Sequence, residues 1–410
     1  MPHGRNEAAK QRYVITIATV RRLSSFLSAN AILQGLLFSA LVPLLPSFEE
    51  QLELSKARAG LLVGVFAVGQ GVATLPVGPL AARVGVKRFV LLGLAVLAVA
   101  STAFGFADSY GELLLTRFVQ GAAAGLCLSA GYAWIVEAAP PGQRGGVIGL
   151  LSGAGSAGQV LGPAVGVLAV SVGRAGVFAG VAALTLLLAF VGSRLPGPTR
   201  GEPQRLSLIQ EAHRSRAALG GLWLVSVPGL LLGGILALAP LQLDRLGWGP
   251  AGIAGTFLVA ASVGVVARPL IGRWADRRGL LSAVRALLLC SVPVTLVIPW
   301  VDYPWLLSVC VACAVTVYGL LFGPSMAVVS LVYENAGIAQ LFGFALMILT
   351  TGVALFVGSA AGGEIAHLAG DSAAYTLAAG LSLATAIALA LSRQQSSRAV
   401  VETGARVSGR

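Results

Sequence analysis

The spacing of the charged residues limits how this chain can fold more than any other feature. Eleven intervals free of Asp, Glu, Lys and Arg are about as long as a membrane-crossing helix, or longer: 23–48, 59–82, 89–107, 118–136, 145–173, 175–193, 217–243, 246–267, 303–333, 335–363 and 372–392. A twelfth interval, 286–301, is shorter, but its helix can begin before Arg285 because a long side chain near a helix end reaches the membrane interface. The pattern therefore predicts an all-α membrane protein with twelve transmembrane helices.

The composition agrees with a chain whose main partner is the lipid bilayer. Of its 410 residues, 56% are hydrophobic and 11% are charged, whereas soluble domains carry about 25% charged residues. The net charge of +12 could indicate a nucleic-acid partner, but the basic residues are distributed between apolar intervals instead of forming one solvated face. We therefore expect no nucleic-acid partner. We also expect no cleavable signal peptide, because the first apolar interval is too long for a signal core.

The Lys and Arg residues predict the orientation of the chain. With twelve spans, 23 of the 28 fall on the side of the two termini, and this count places Arg268 in a loop there. One more, Arg117, lies inside a span. The remaining four fall on the other side: Lys56, Arg58, Arg174 and Arg245. Because short cytoplasmic loops retain basic residues, we expect a multi-pass protein of the cell membrane with both termini in the cytoplasm.

The spans divide into two similar halves. A polar, Pro-rich stretch separates a bundle at 23–195 from a bundle at 218–393, so 196–217 is a predicted cytoplasmic linker, with cytoplasmic tails at 1–22 and 394–410. GPLAARVG at 78–85 matches GRWADRRG at 272–279 with a fixed offset of 194 residues. We therefore predict two pseudo-symmetric six-helix bundles with a substrate path between them.

No pattern in the sequence indicates an enzyme or a metal site. The four cysteines, Cys127, Cys290, Cys310 and Cys313, all fall in predicted spans, and no His or second Cys pair accompanies the C-x-x-C. Neither H-E-x-x-H nor G-x-S-x-G occurs, and the phosphate loop of ATP-driven transporters is missing. We expect no catalytic residues, no metal and no cofactor.

The stretch GAGSAGQVLGPAVG, 153–166, begins as G-x-G-x-x-G. A dinucleotide site needs an acid about 20 residues further on, but no Asp or Glu occurs between Glu137 and Glu202. Its glycines continue with the spacing of one helix face: Gly158, Gly162 and Gly166. Such a face lets two membrane helices approach closely, and Pro163 bends the helix. The face can serve packing alone or a conformational switch.

Four further patterns lie in two loops and two spans. The loop between spans two and three matches G-x-L-A-D-R-x-G-R-K at Gly78, Leu80, Ala81, Arg83, Gly85 and Lys87, with Ala82 and Val86 departing from it. The loop between spans eight and nine carries Gly272, Ala275, Asp276, Arg277 and Gly279. Span four contains R-x-x-Q-G as Arg117, Gln120 and Gly121, and span one contains P-x-x-P as Pro43 and Pro46.

Together with G-x-x-x-G-P-x-x-G in span five, these patterns resemble the major facilitator superfamily, and more narrowly its twelve-helix drug:proton antiporter branch. The resemblance implies a secondary transporter that exports small lipophilic or amphipathic molecules by alternating access, and we expect the chain to work as a monomer. Exchange with protons is left open. An uptake permease of the same fold, for a sugar or metabolite, and a non-transporting membrane sensor stay as alternatives.

Arg117 is the most informative single residue, because a charge inside a span costs up to about 3 kcal/mol and usually has a function. We expect it to hydrogen-bond into a central cavity, to substrate or to Asn30 and Gln34, with Gln120 beside it. Snorkelling to the outer surface is the alternative. The other candidate cavity residues are polar or aromatic side chains in predicted spans: Tyr132, Trp134, Gln159, Tyr318, Phe322 and Phe344.

The acids suggest a latch and two possible proton carriers. Asp276 can interact with the N-terminus of a neighbouring helix and so latch the halves on the cytoplasmic side, whereas Ala82 cannot. We therefore predict one latch instead of two. Glu137 and Glu334, at predicted helix ends, are the candidate proton carriers. Coupling through Arg117 and uncoupled transport are the other possibilities.

Overall fold

The computed structural model describes residues 17–77, 80, 84–139, 144–197, 216–335 and 340–408. In this part of the chain twelve helices are long and apolar enough to cross a membrane, and no residue is in a strand. The helices are α1 Ile17–Ser39, α2 Lys56–Thr74, α3 Val86–Phe106, α4 Tyr110–Ala138, α5 Arg144–Val172, α6 Arg174–Ser193, α7 Arg216–Arg245, α8 Gly249–Arg278, α9 Leu280–Val297, α10 Pro304–Asn335, α11 Gln340–Ala369 and α12 Asp371–Ser408. The predicted all-α membrane fold with twelve spans is confirmed.

The first span is interrupted near its end. α1 stops at Ser39 and is followed by a 3-10 turn, Val42–Leu44, and a short helix, Leu45–Leu52. Each of these two pieces has a proline in its first turn, Pro43 and Pro46, where the missing N–H costs no intrahelical bond. The P-x-x-P pattern therefore marks the break in the first span.

Successive helices run in opposite directions, so the bundle has two ends. We call the end where α1 begins and the apolar part of α12 stops the terminal end, and the other end the distal end. At the distal end, α4 begins with a capping box in which Glu112 N–H donates to Ser109 Oγ at 3.3 Å and Ser109 N–H donates to the Glu112 carboxylate at 3.2 Å.

The two halves repeat the same backbone conformation at the terminal end. Gly85, which precedes α3, has φ 97° and ψ 133°, and Gly279, which precedes α9, has φ 90° and ψ 141°. L-residues rarely adopt a positive φ of this kind, so both loop signatures need glycine at this position. The match at an offset of 194 residues therefore reflects a shared turn, as expected for two pseudo-symmetric six-helix bundles.

The halves contact each other mainly through two helix pairs, α2 with α11 and α5 with α8. Along the first pair, glycines bring the backbones together: a Cβ on Gly60 would overlap the Ser359 carbonyl, and one on Gly352 would overlap the Ala67 carbonyl. Direct backbone approach of this kind is typical of membrane helices, where small residues occupy the interface.

An ion-pair cluster joins the halves at the distal end. The Lys56 ammonium lies 2.7 Å from one carboxylate oxygen of Asp371, and the Arg245 guanidinium lies 3.0 Å from the other. Lys56 belongs to the first half, and the other two residues to the second. The Asp371 side chain is only 16% exposed, so solvent screens this cluster less than it screens a surface pair. We call these three residues the distal clasp.

At the terminal end, several described residues at the ends of α2 and α8 are more exposed to solvent. Leu75 and Leu80, just after α2, are each 43% exposed, and the end of α8 presents Asp276 and Arg277 to solvent. The described residues make no ion pair with either of these two side chains. The bundle is therefore closed at the distal end and more open at the terminal end.

The helix bounds differ from the sequence expectation in three places. α1 begins at Ile17 instead of 23, and α12 continues to Ser408 although its apolar span ends at Leu391. α8 reaches Arg278, so the assignment of Arg268 to a loop is wrong. The start of the chain and most of the predicted linker lie outside the described residues.

Candidate functional site

The glycine face of α5 packs directly against α1. A Cβ added to Gly158, Gly162 or Gly166 would overlap the backbone of α1 or the segment after it, at Ile32, Leu36 and Ala40 respectively. The predicted close helix contact is therefore present, and α1 is the helix that it contacts. Whether the contact also switches conformation stays a prediction.

Pro163 creates a free carbonyl inside α5 that α1 satisfies. In an α-helix the carbonyl of Gln159 would accept a hydrogen bond from residue 163, and proline has no N–H to donate. Instead, Ser39 Oγ at the end of α1 lies 2.9 Å from the Gln159 carbonyl and 3.1 Å from the Gly35 carbonyl, and its one hydrogen is shared between these two acceptors. Ser39 therefore supplies a donor that Pro163 lacks and links the bend in α5 to α1.

Arg117 binds the end of α1 from the opposite direction. It lies about two turns into α4, and its guanidinium donates to the Leu37 carbonyl at 2.9 Å and to the Phe38 carbonyl at 3.3 Å. The last carbonyls of a helix lack intrahelical partners and carry partial negative charge. Arg117 therefore caps α1 with a positive charge, which explains why a residue 1% exposed can be charged.

Aromatic rings and one amide complete the surroundings of Arg117. Its Cζ lies 4.6 Å from the ring centroid of Phe66 and 5.8 Å from that of Phe104, which are cation–π distances. The guanidinium also donates to Gln120 Oε1 at 3.3 Å, and Gln120 Nε2 donates to Ser101 Oγ at 3.2 Å. Within the described residues Arg117 makes no ion pair, and its Nε has no partner.

A cavity of about 20 Å³ lies beside Arg117, large enough for about one water molecule. Most of its lining comes from the first half and one residue, Leu236 of α7, from the second; the lining residues are Phe38, Ser39, Leu41, Val42, Val63, Arg117 and Leu236. The capped end of α1 therefore lies where the two halves meet.

Asn30 and Gln34 do not contact Arg117 through any hydrogen bond of the described structure. Gln34 Nε2 donates to Asn30 Oδ1 at 2.9 Å, one turn away on α1, and both side chains are buried. Arg117 binds backbone carbonyls of α1 instead of these amides. The backbone partners were missed because side-chain spacing does not reveal which carbonyls a helix break leaves free.

The face of α5 opposite its lipid-exposed leucines is polar. Leu150, Leu161 and Leu168 are 53%, 50% and 49% exposed and share one face. At about 100° per residue, Ser152, Ser156 and Gln159 lie on the opposite side of the helix. Ser152 and Gln159 are exposed and Ser156 is half-buried, although this face points into the protein. It therefore borders a space between the halves, which we call the cleft.

Helix α8 lines the cleft from the second half. Arg268 of α8 is exposed and donates a hydrogen bond to Ser156 Oγ of α5. Ser156 Oγ in turn donates to the Ser152 carbonyl at 3.0 Å. The sequence prediction missed Arg268 as a cleft residue because its uncharged interval ended there. Pro269 could have indicated that the span continues past Arg268, because membrane helices tolerate proline.

Tyr132 and Tyr318 are both more enclosed than Gln159. Tyr132 of α4 is 5% exposed, and its hydroxyl lies 2.8 Å from Ser152 Oγ, so it supports the polar face of α5. Tyr318 of α10 is 1% exposed and hydrogen-bonds to Thr295 of α9 within the second half. The structure thus places Tyr132 behind the face of α5 that carries Ser152, and Tyr318 inside the second bundle.

The loop-signature residues are only partly described. Gly78 and Arg83 lie outside the described residues, whereas the Lys87 ammonium donates to the Ser193 carbonyl at 2.8 Å and to the Leu195 carbonyl at 2.5 Å. Lys87 therefore ties the start of α3 to the end of α6. In the second half, Gly272 and Asp276 are exposed on α8. The predicted Asp276 latch stays a prediction for a state in which the terminal end is closed.

Acidic side chains are confined to the helix ends in the described structure. Glu137, near the end of α4, and Glu334, near the end of α10, are both exposed. The described residues contain no group of three or more His, Cys, Asp or Glu side chains that could hold a metal ion. The candidate site is therefore polar and basic in its interior, with apolar surroundings.

A family model described as Major Facilitator Superfamily matches residues 27–344, which is most of the chain and extends from the first half well into the second. The chain belongs to the major facilitator superfamily. It is therefore a membrane-embedded, multi-pass transporter and not an enzyme, as the loop signatures and the pattern in α5 suggested.

Two relatives of this transporter are named for drug resistance. The quinolone resistance protein NorA of Staphylococcus aureus is 28% identical over 177 residues, which is 41% of this chain and 46% of that protein. Multidrug resistance protein 2 of Bacillus subtilis is 27% identical over 140 residues, 34% of this chain and 35% of that protein. The matched region spans less than half the length of either relative.

Solved transporters share the fold over nearly the whole chain. The nucleoside transporter NupG superposes with a TM-score of 0.72 at 15% identity, covering 90% of this chain and 99% of that one. A bacterial homologue of the lysosomal transporter Spinster, inward-facing and unoccupied, gives 0.67 at 17% identity, covering 92% and 96%. At these identities the likeness establishes the fold alone.

Replacing Gly158 by Ala is expected to lower the thermal unfolding midpoint of the detergent-solubilised transporter. The added methyl group would force α1 away from α5, and overpacking of this kind costs about 1–3 kcal/mol. The matched control is Gly153→Ala on the same helix, because a Cβ there has no neighbour within 4 Å. Equal midpoints for the two variants, measured by scanning fluorimetry, would contradict the close α1–α5 contact.

Replacing Ser39 by Ala is expected to destabilise the protein by about 1–2 kcal/mol, because the Gln159 carbonyl loses its donor. In a Pro163→Ala background the new N–H can pair with that carbonyl within α5, so the same change should cost close to nothing. A double-mutant cycle of unfolding free energies measures the difference. An unchanged cost of Ser39→Ala in the two backgrounds would show that Pro163 does not create the need for Ser39.

Proposed function

We propose that this transporter exports small lipophilic or amphipathic molecules by alternating access through the cleft. The observation that carries the proposal is the asymmetry of the bundle: the distal clasp closes one end, while the polar face of α5 and Arg268 of α8 are exposed toward the other. A binding region between two halves that is open to one side only is what alternating access requires.

The chemistry of the cleft supports the substrate class. Its polar groups are few, and the surrounding side chains are mostly small or apolar, such as Val265 and Gly272. The acids of the described residues lie near helix ends or in loops and not on the polar face of α5, so the cleft offers little to a small cation. The drug-resistance relatives agree with export of lipophilic compounds.

We further propose that the terminal end faces the cytoplasm of the cell, so that both chain ends are cytoplasmic. The excess of Lys and Arg near this end supports the orientation, and it persists after Arg268 is moved into α8. The cleft lies within one chain, which supports a monomer as the working unit. Exchange with protons is part of the proposal, with Glu137 at the end of α4 and Glu334 at the end of α10 as the groups to test.

The proposal is tested by reconstitution in liposomes with an imposed pH gradient, following a panel of lipophilic dyes. Dye movement should depend on the gradient and should be lost in Arg117→Ala, because the end of α1 then has free carbonyls where the halves meet. Arg88→Ala removes a charge from an exposed position and should transport normally. Arg117→Lys, which keeps the charge, should retain more activity than Arg117→Ala.

Each outcome of this assay has a distinct meaning. Movement that ignores the gradient would remove protons from the proposal but leave export in place. Accumulation only in the direction opposite to export would identify an uptake permease. An absence of movement for the whole panel, with protein that is folded by size-exclusion chromatography, would contradict the proposed substrate class.

A further inference from the structure

Arg268 lies within helix α8 instead of at its end. It is ten residues from the last residue of α8, Arg278, and this separation is about 15 Å along the helix axis. A charged side chain within a membrane span is rare and is a functional candidate for that reason. The position equivalent to Arg268 at the 194-residue offset is Thr74, so the repeated scaffold does not require a charge here.

The side chain points away from the lipid. The apolar residues of α8 that are most exposed are Val259, Val263, Val266 and Leu270, at 52%, 50%, 70% and 57%. At about 100° per residue they lie roughly opposite Arg268 around the helix. The hydrogen bond to Ser156 of α5 confirms that Arg268 faces the first half across the cleft.

The positive charge of Arg268 has no counter-ion in the described structure. None of the ion pairs among the described residues includes it. The sequence explains this, because no Asp or Glu occurs between Glu137 and Glu202 or between Asp244 and Asp276. The two helices that border the cleft here therefore carry no acid near Arg268.

Most N–H donors of the Arg268 guanidinium also have no acceptor among the described residues. A guanidinium has five N–H donors in a planar fork, and the described residues accept from one of its nitrogens, through Ser156 Oγ. Arg117 differs in this respect, because it is 1% exposed and its terminal nitrogens donate to Leu37, Phe38 and Gln120. Arg117 is a structural cap, whereas Arg268 can receive a ligand.

We propose that Arg268 is the anion-binding group of the cleft and that the transported molecule is an amphipathic organic anion. Its carboxylate or sulfonate would pair with the Arg268 fork, which matches the geometry of two oxygen atoms. Ser156 positions the guanidinium, and the Gln159 amide lies one turn further along the same face of α5. The apolar part of the ligand lies against the small and aliphatic side chains of the cleft. Assigning the anion as cargo rests on the proposed function.

Equilibrium binding to the purified, detergent-solubilised full chain tests the inference without requiring transport. The probes are three fluorescent pyrene derivatives of the same chain length that end in a carboxylate, a neutral amide or an ammonium group. The carboxylate should bind the wild-type protein about tenfold more tightly than the amide, which is the effect of one charge-assisted hydrogen-bonded contact. The ammonium derivative should bind more weakly than the amide.

Substitutions in α8 test whether Arg268 is the residue that causes the preference for the carboxylate probe. Arg268→Gln should remove the preference for the carboxylate and leave the affinity for the amide within about twofold, whereas Arg268→Lys should keep part of it. Arg273→Gln is the matched control, because it removes the same charge from an exposed position five residues along the helix. Equal binding of the carboxylate and amide by the wild type, or equal loss in Arg268→Gln and Arg273→Gln, would overturn the inference. If Arg268→Gln does not fold, Arg268→Lys and Ser156→Ala decide the question.

Two competitors separate the possible sources of the anion. Inorganic phosphate should displace the carboxylate probe only weakly, because it lacks an apolar part. Displacement by phosphatidylglycerol at low mole fraction, in the absence of displacement by short amphipathic carboxylates, would assign Arg268 to a lipid headgroup and contradict the cargo assignment. Charge-selective binding without any transport would contradict the proposed function and support the anion site. Transport without charge-selective binding would support the proposed function and contradict the anion site.

Discussion

The hydrocarbon interior offers no water to a free backbone carbonyl, and this constraint organises the first half of the protein. α1 stops at Ser39, before the proline-containing turn, and α5 contains Pro163, so both helices expose carbonyls at membrane depth. Ser39 and Arg117 pair with these groups. Because Ser39 links α1 to α5 and Arg117 links α4 to α1, the same hydrogen bonds that satisfy the backbone also assemble three helices around one point where the two halves meet.

The few interior charges then have separate tasks. The guanidinium of Arg117 binds backbone carbonyls of α1. The distal clasp joins the halves around Asp371. Arg268 faces the cleft without a counter-ion among the described residues. The ion pairs of the distal clasp keep one end of the transporter closed. The cleft between the bundles is lined mainly by apolar side chains and carries the positive charge of Arg268. Glycines along α2 and α11 allow direct contact of the halves, so a small relative tilt changes the packing at both ends.

Much of this architecture was predictable from the sequence, because the spacing of charges reports span length directly. The twelve spans, the glycine face of α5 and the depth of Arg117 all follow from periodic patterns. The partners of Arg117 and the role of Ser39 did not, since they depend on backbone carbonyls that a one-dimensional pattern does not display. Arg268 was misplaced because a charge was taken to end a span, whereas α8 continues past it. The distal clasp joins residues 315 positions apart, a pairing that no local motif encodes.

We propose that the two bundles tilt against each other and that the distal clasp holds them in the state seen here. Double electron–electron resonance between pairs of spin labels measures this tilt. One pair lies at the distal end, on Gln51 and Tyr303, and one at the terminal end, on Ser193 and Arg278. The labels are attached in a background without the native cysteines. In Asp371→Asn the distal distance should lengthen and the terminal distance should shorten. Asp302→Asn, an exposed acid at the same end, should change neither. Distances that stay fixed in Asp371→Asn, or that change in the same direction at both ends, would contradict the account.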